Sequence, residues 1–291
     1  VNVRSQITPR DIDIVRHVAR HRFLASQHLC RLVNGSGQGI ARRLQALFHA
    51  GFLDRPRAQL DYYLRGGSKP LVYGLGTRGA KSLYARGEKS SIDWTVKNQN
   101  ATRLFIDHTL RVADFMVGLQ VACREAGLQL EWPLQNSERL RWRVAFSHSG
   151  ENVSFGVIPD AAFGLTMLNG ETVYYCLEVD CATMPVKRRS LHQTSVHRKF
   201  LAYHATWQQR MLPERFGWKR FRVLTLTTSA ERAENLRQTA AELPSGHGLF
   251  LFGHFDQLAE AQDILSLSWF GVTDDVPVTL RGQSAGLPAR T

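Results

Sequence analysis

At Gly51 the apolar residues of the N-terminal segment stop recurring at helical spacing and begin to recur at strand spacing, and few small domains accommodate that switch. Thr8-Pro9-Arg10-Asp11 reads as a helix start, with Thr8 as N-cap, Pro9 at the first helical position and Asp11 complementing the dipole. Ile12, Val15, Val18 and Ala19 form its apolar stripe. After a Phe23-Leu24-Ala25 link, a second helix capped by Ser26 turns Leu29, Leu32 and Val33 inward, and Asn34-Gly35-Ser36-Gly37 breaks it. A third helix, about Gln38 to Ala50, buries Ile40, Leu44, Leu47 and Phe48 and presents Gln38, Arg42, Arg43, Gln45 and His49. Gly51 ends it in the position usual for a left-handed C-cap. Phe52 to Arg55, Leu60 to Leu64, the turn Arg65-Gly66-Gly67-Ser68 and Leu71-Val72-Tyr73 then read as a hairpin. Three short helices and a hairpin predict a winged helix-turn-helix, whose third helix enters the major groove of duplex DNA.

Charge points the same way. The chain of 291 residues carries a formal net charge of +12. Residues 1–90 hold 16 Lys and Arg against 5 Asp and Glu, whereas residues 91–291 hold 21 against 20. A solubilising surface mixes its signs, and a polyanion footprint concentrates one sign on one module. The expected DNA contacts are Gln38, Arg42, Arg43 and Gln45 on the third helix, with Arg57, Arg65 and Lys69 around the glycine-rich turn. Two plainer readings stay open: adjacent arginines also solvate helices, and the turn also reads as an ordinary exposed loop.

The polar stretch Gly87–Asn100 is expected to be a linker, giving a DNA-binding domain over 1–95, a second domain over 96–280 and a flexible tail over 281–291. A long amphipathic helix is expected over 101–126, with Leu104, Phe105, His108, Val112, Phe115, Leu119 and Ala122 on its buried side. Strands are expected at 128–132, 139–146, 153–158, 173–179, 221–226 and 249–252, with helices at 186–210, 230–243 and 255–265. The fold class is therefore α+β, the second domain being an α/β unit with a mixed sheet. Four cysteines without a CxxC pair read as reduced thiols, and no structural zinc is expected. No apolar run approaches the ~20 residues of a membrane span, and Val1-Asn2-Val3-Arg4 is not a signal stretch. A cytoplasmic protein without a membrane partner is expected.

Two acidic motifs close consecutive expected strands, Ile158-Pro159-Asp160 and Leu177-Glu178-Val179-Asp180. Alternation sends Cys176, Glu178 and Asp180 to one face, so Asp160, Glu178 and Asp180 are candidate ligands for Mg²⁺ or Mn²⁺, hard cations that take oxygen ligands and activate water toward a phosphodiester. Simple solvation of strand ends is the competing reading. The segment 185–222 carries ten Lys and Arg against Glu214 alone, and Lys187, Arg188 and Arg189 within it are candidate backbone contacts. Val196, Phe200, Tyr203 and Trp207 recur at helical spacing and read as a core stripe.

Thr8-Pro9-Arg10-Asp11 with Phe23-Leu24, Ala41-Arg42-Arg43-Leu44, Pro159-Asp160-Ala161, Leu177-Glu178-Val179-Asp180 and Lys199-Phe200-Leu201-Ala202-Tyr203 resemble the replication-relaxation proteins of plasmids and integrative elements. The resemblance implies a role in plasmid replication, origin relaxation or conjugative mobilisation, with a restriction-endonuclease-like second domain of the PD-(D/E)XK type. It further implies catalytic roles for Asp160, Glu178, Asp180 and Lys199. The chain departs from the nuclease pattern at Asp180, where lysine is expected, and Lys199 or Lys187 from the next helix stands in for that charge. Two functions remain in view. One is a DNA-processing protein that nicks an origin with a divalent metal; the other is a non-enzymatic accessory factor or regulator on a degenerate nuclease scaffold. Duplex DNA is the partner in both, with other mobilisation or replication proteins and a second copy of the chain as further candidates. A small-molecule enzyme is disfavoured, since the chain has no glycine-rich phosphate loop and no Ser-His-Asp arrangement.

Overall fold

The computed structural model describes residues 7–59, 70–88, 94–133, 140–167, 169–261, 263–273 and 276–281. The fold is α+β with a mixed sheet. The described residues up to Val117 form one compact unit and those from Gly118 onward a second.

In the first unit, α1 (Pro9–His21) begins with a reciprocal cap. The Asp11 N–H donates to Thr8 Oγ1 at 3.3 Å, and the Thr8 N–H donates to Asp11 Oδ2 at 2.7 Å. The expected link Phe23–Ala25 is a strand, β1, and Ser26 is the first residue of α2 (Ser26–Leu32) rather than its cap. The reason is pairing: Phe23, Leu24 and Ala25 stand opposite Gly74, Tyr73 and Val72, which satisfies their backbone groups in a sheet. The Ala25 N–H then donates to His28 Nδ1 at 3.2 Å. Next come α3 (Gly37–His49), β2 (Leu53–Asp54), β3 (Val72–Leu75) and α4 (Thr77–Tyr84). The three strands form an antiparallel sheet in the order β1-β3-β2. Gly51 has φ +76, as its expected role at the end of α3 requires. Gly79 allows α4 to lie against this turn, because a Cβ there would meet the Phe52 carbonyl oxygen at 2.2 Å. The expected strand Leu60–Leu64 and the turn with Arg65 and Lys69 lie outside the described residues.

Part of the expected linker is a helix, α5 (Trp94–Gln99). It is held by polar contacts rather than by its own propensity: Arg22 Nε donates to buried Asn98 at 3.0 Å, and Gln99 donates to Asp54 at 2.6 Å. The long helix α6 (Arg103–Ala126) follows. Its Ala113 and Val117 share one core with Ile12, Val15, Leu29, Ile40, Leu44 and Leu75, so the first unit runs past residue 95. Leu104, expected inside, is 72% exposed; Ile106 takes the buried position instead.

The second unit contains β4 (Gln129–Glu131), β5 (Trp142–His148), β6 (Glu151–Val157), β7 (Ala161–Thr166) and β8 (Thr172–Val179). It continues through α7 (Val196–Gln208), α8 (Met211–Phe216), β9 (Phe221–Thr227), α9 (Ala230–Ala241), β10 (Phe250–His254), α10 (Asp256–Glu260) and β11 (Phe270–Gly271). Six strands form one sheet in the order β11-β10-β9-β8-β7-β4, with β8, β9 and β10 parallel and the remaining pairs antiparallel. Strands β5 and β6 form a separate ribbon that packs on α7, where Trp142 Nε1 donates to Thr206 Oγ1 at 2.8 Å and Gln209 Nε2 to the Ala145 carbonyl at 2.7 Å. Asp160 therefore does not close a strand of the main sheet. It opens β7, a strand the sequence reading did not anticipate. The helix expected over 186–210 starts only at Val196, where Ser195 caps it by accepting the Arg198 N–H at 3.2 Å. Among the described residues no helix is long and apolar enough to cross a membrane.

Candidate functional site

Among the described residues, most of the expected site residues lie in two places. The first is the solvent face of α3. Ser36 caps the helix by accepting the Gly39 N–H at 3.2 Å, and burial of Ile40, Leu44 and Leu47 fixes its rotation. Gln38, Arg42, Gln45 and His49, spaced as one stripe, are left exposed. The helix contains no acidic residue.

Arg43 is turned away from that stripe. Its Nε and Nη2 each lie 2.5 Å from an oxygen of Asp11, whose side chain has no exposed surface. Asp11 also accepts from the Thr8 hydroxyl at 2.6 Å. Burial pushes the Asp11 carboxyl up, but the bonds from Arg43 and Thr8 together hold it below its ordinary value. The expected DNA contact Arg43 is thus a clamp between α3 and the start of α1, because a buried carboxylate requires a paired donor. Arg57 is exposed in a short 3-10 turn (Arg57–Gln59) whose Gln59 is tied to the backbone of Val72.

The second place is the face of the main sheet around Glu178. Glu178 is 5% exposed. Lys199 Nζ donates to its Oε2 and the Tyr203 hydroxyl to its Oε1, both at 2.6 Å. Lys199 and Tyr203 lie four residues apart on α7, hence on one face of it. Asp160 immediately precedes the adjoining strand β7, and its Oδ2 accepts the Val179 N–H at 2.8 Å. Burial pushes the Glu178 carboxyl up and the Asp160 charge pushes it further, against the pull of Lys199. Burial lowers Lys199, but the charges of Glu178, Asp160 and Asp180 outweigh it and raise the ammonium above its ordinary value. Burial and then the Glu178 charge hold the Tyr203 phenol well above its usual range.

Asp180 is drawn off elsewhere. Arg232 Nε reaches its Oδ2 at 2.9 Å, Thr227 Oγ1 donates to the same oxygen at 2.7 Å, and Arg232 Nη2 also donates to the Met184 carbonyl at 2.8 Å. The three carboxylates expected around an ion are therefore each committed to protein donors. Among the described residues no group of three His, Cys, Asp or Glu side chains is placed to hold a metal ion. The donor set as folded does not fit a divalent cation.

A model of the replication-relaxation family matches residues 15–216, a span that takes in most of α1, all of α3 and the network of Asp160, Glu178, Lys199 and Tyr203. The chain belongs to the replication-relaxation family. No curated protein and no solved structure matches it. The family match ends before β9, so Thr227 and Arg232, which hold Asp180, lie beyond it.

In this replication-relaxation protein, the expected site residues of the second unit do not all converge. Asp160, Glu178 and Lys199 come together, while Asp180 is held apart by Arg232. Lys187 pairs with Glu242, whereas Arg188 and Arg189 are exposed in the irregular segment before α7. Tyr203, which bonds Glu178, and Arg232, which bonds Asp180, are not among the site residues expected from the sequence. Tyr203 was signalled by its spacing from Lys199, but as part of an apolar stripe it read as core, which it also is. Trp207, at the end of that stripe, is 42% exposed.

Proposed function

We propose that this replication-relaxation protein binds duplex DNA of a mobile genetic element through its first unit, a winged helix-turn-helix with α3 as recognition helix. The observation that carries the reading is the exposed stripe Gln38, Arg42, Gln45 and His49 on a helix without acids. Its polar side chains suit base edges and its arginine suits either guanine or phosphate. The order α1, β1, α2, α3, β2, β3 agrees with that architecture. Arg57, exposed ahead of β3, contacts the DNA backbone, and Arg65 and Lys69 are further contacts. The charge excess of residues 1–90 supplies the salt-dependent part of the affinity.

The second unit is a PD-(D/E)XK-like scaffold, a reading supported by the succession of a long helix, strands with Asp160 and Glu178, helix α7 and parallel strand β9. Nicking of an origin draws support from one observation, the arrival of Lys199 at Glu178. The commitment of every carboxylate to protein donors favours instead an accessory role in which the scaffold grips DNA or a partner, with Arg188 and Arg189 as exposed contacts. An anisotropy titration of the full chain on duplex DNA over several salt concentrations tests the central reading. Binding that weakens steeply with salt, and weakens further in Arg42→Ala, supports it; affinity unchanged in that variant removes α3 from the interface.

A further inference from the structure

We propose that Lys199 is the resident cation of the acidic site, occupying the position beside Glu178 that a divalent ion would need, and that replacing it with a neutral residue converts the site into a Mn²⁺-binding one. The inference concerns the second unit and does not depend on how the first unit meets DNA.

Glu178 is buried on β8, and Asp160 stands next to it, immediately before the adjoining strand β7. Two carboxylates this close repel each other in a poorly hydrated setting and need a positive charge nearby. Lys199 supplies it at 2.6 Å. Tyr203 takes the second oxygen of Glu178, and the Val179 N–H takes one oxygen of Asp160. Asp180, the other nearby acid, has its own cation in Arg232. Lys199 thus offsets one of the two carboxylate charges, and the neutral donors Tyr203 and the Val179 N–H stabilise the rest.

One group is left over. Thr225 stands opposite Glu178 in the β8–β9 register, hence on the same face of the sheet, and its hydroxyl is buried with no hydrogen-bond partner. Hard divalent cations take carboxylate and hydroxyl oxygens. Asp160, Glu178 and Thr225 are such a set, but to reach it an ion must displace an ammonium already attracted by the same carboxylates. Exclusion is thus a matter of charge rather than of missing oxygens. Removing the ammonium leaves two uncompensated carboxylates beside an unpaired hydroxyl, an arrangement that gains from a bound cation.

Calorimetric titration with MnCl₂ and thermal melting of the full chain test this. Wild type is expected to show no Glu178-dependent Mn²⁺ binding and no rise in melting temperature. K199Q is expected to melt lower, to be restored by Mn²⁺, and to bind the ion at least about tenfold more tightly than wild type. E178Q/K199Q is expected to lose that gain. Y203F, which frees an oxygen but keeps the ammonium, is expected to show none. Wild type that binds Mn²⁺ as tightly as K199Q, or a folded K199Q without gain, overturns the proposal. Should K199Q fail to fold, the wild-type arm decides: Mn²⁺ binding that disappears in E178Q overturns the proposal, and its absence supports it.

Discussion

Arg43→Ala separates two roles that neighbouring arginines of α3 would otherwise share. Arg43 makes two 2.5 Å bonds to Asp11, a carboxylate with no exposed surface. Breaking a fully buried ion pair costs about 3–5 kcal/mol, because the remaining charge is left unpaired. Here the Arg43 side chain is 20% exposed, and Thr8 still donates two hydrogen bonds to Asp11. Both reduce the loss, to about 2–3 kcal/mol. Hydrogen exchange read on peptides covering 8–21 and 36–49 isolates the first unit. Amides there that exchange through opening of the unit should lose about thirtyfold or more of their protection. Arg43→Lys should fall between, since it keeps the charge but not the two-pronged geometry. Unchanged protection in Arg43→Ala, together with weakened DNA binding, would refute the clamp and return Arg43 to the DNA-facing stripe. The sign of the pH dependence follows from Asp11. Its carboxyl is held below the ordinary value of 3.8, so the clamp stabilises fully above that value and is lost as pH falls through the lower folded value.

Arg42→Ala and Gln45→Ala together should leave protection of α1 and α3 unchanged while weakening duplex binding, and the salt slope should flatten by nearly one unit per lost phosphate contact; salt-dependent anisotropy titrations measure both. Arg232→Ala should destabilise the second unit by about 2–3 kcal/mol by leaving Asp180, 9% exposed, with two neutral donors, the Thr227 hydroxyl and the Ala182 N–H, seen as lost exchange protection in α9 and β9. Lys199→Met should be most destabilising at neutral pH and less so in acid, because burial raises the Glu178 carboxyl and its protonation removes the unpaired charge; melting curves from pH 5 upward check the trend. Of the four free cysteines, half-buried Cys30 and Cys181 should react first with a thiol reagent. Cys123, pushed up to about 11 by burial, and fully buried Cys176, raised further by the same cause, should react only on unfolding.

The start of α1, the end of α3 and the apolar spacing of both were legible because they are local: Thr8, Pro9 and Gly51 lie within one turn of the ends they define, whereas Ser36, the cap of α3, reads in sequence only as part of the break before it. Strand β7 was not, since Ala161-Ala162-Phe163-Gly164-Leu165-Thr166 has little strand character of its own and is held by pairing on both sides. Helix α5 was hidden for a similar reason, its polar sequence being fixed by Arg22 and Asp54 from distant segments. Asp160, Glu178 and Lys199 could be nominated from their motifs. Which of Arg42 and Arg43 faces inward depends on Asp11, 32 positions upstream of Arg43, and the diversion of Asp180 depends on Arg232, 52 positions downstream. Spacing rules do not reach that far.

Hydrogen exchange of the full chain with and without duplex DNA at low salt tests the central claim most directly, because it locates the interface without altering a residue. DNA binding through α3 predicts added protection in peptides covering 36–49 and in the segment 55–70. Protection confined to residues after 118, with peptides 36–49 unchanged while the DNA is bound, would contradict the account.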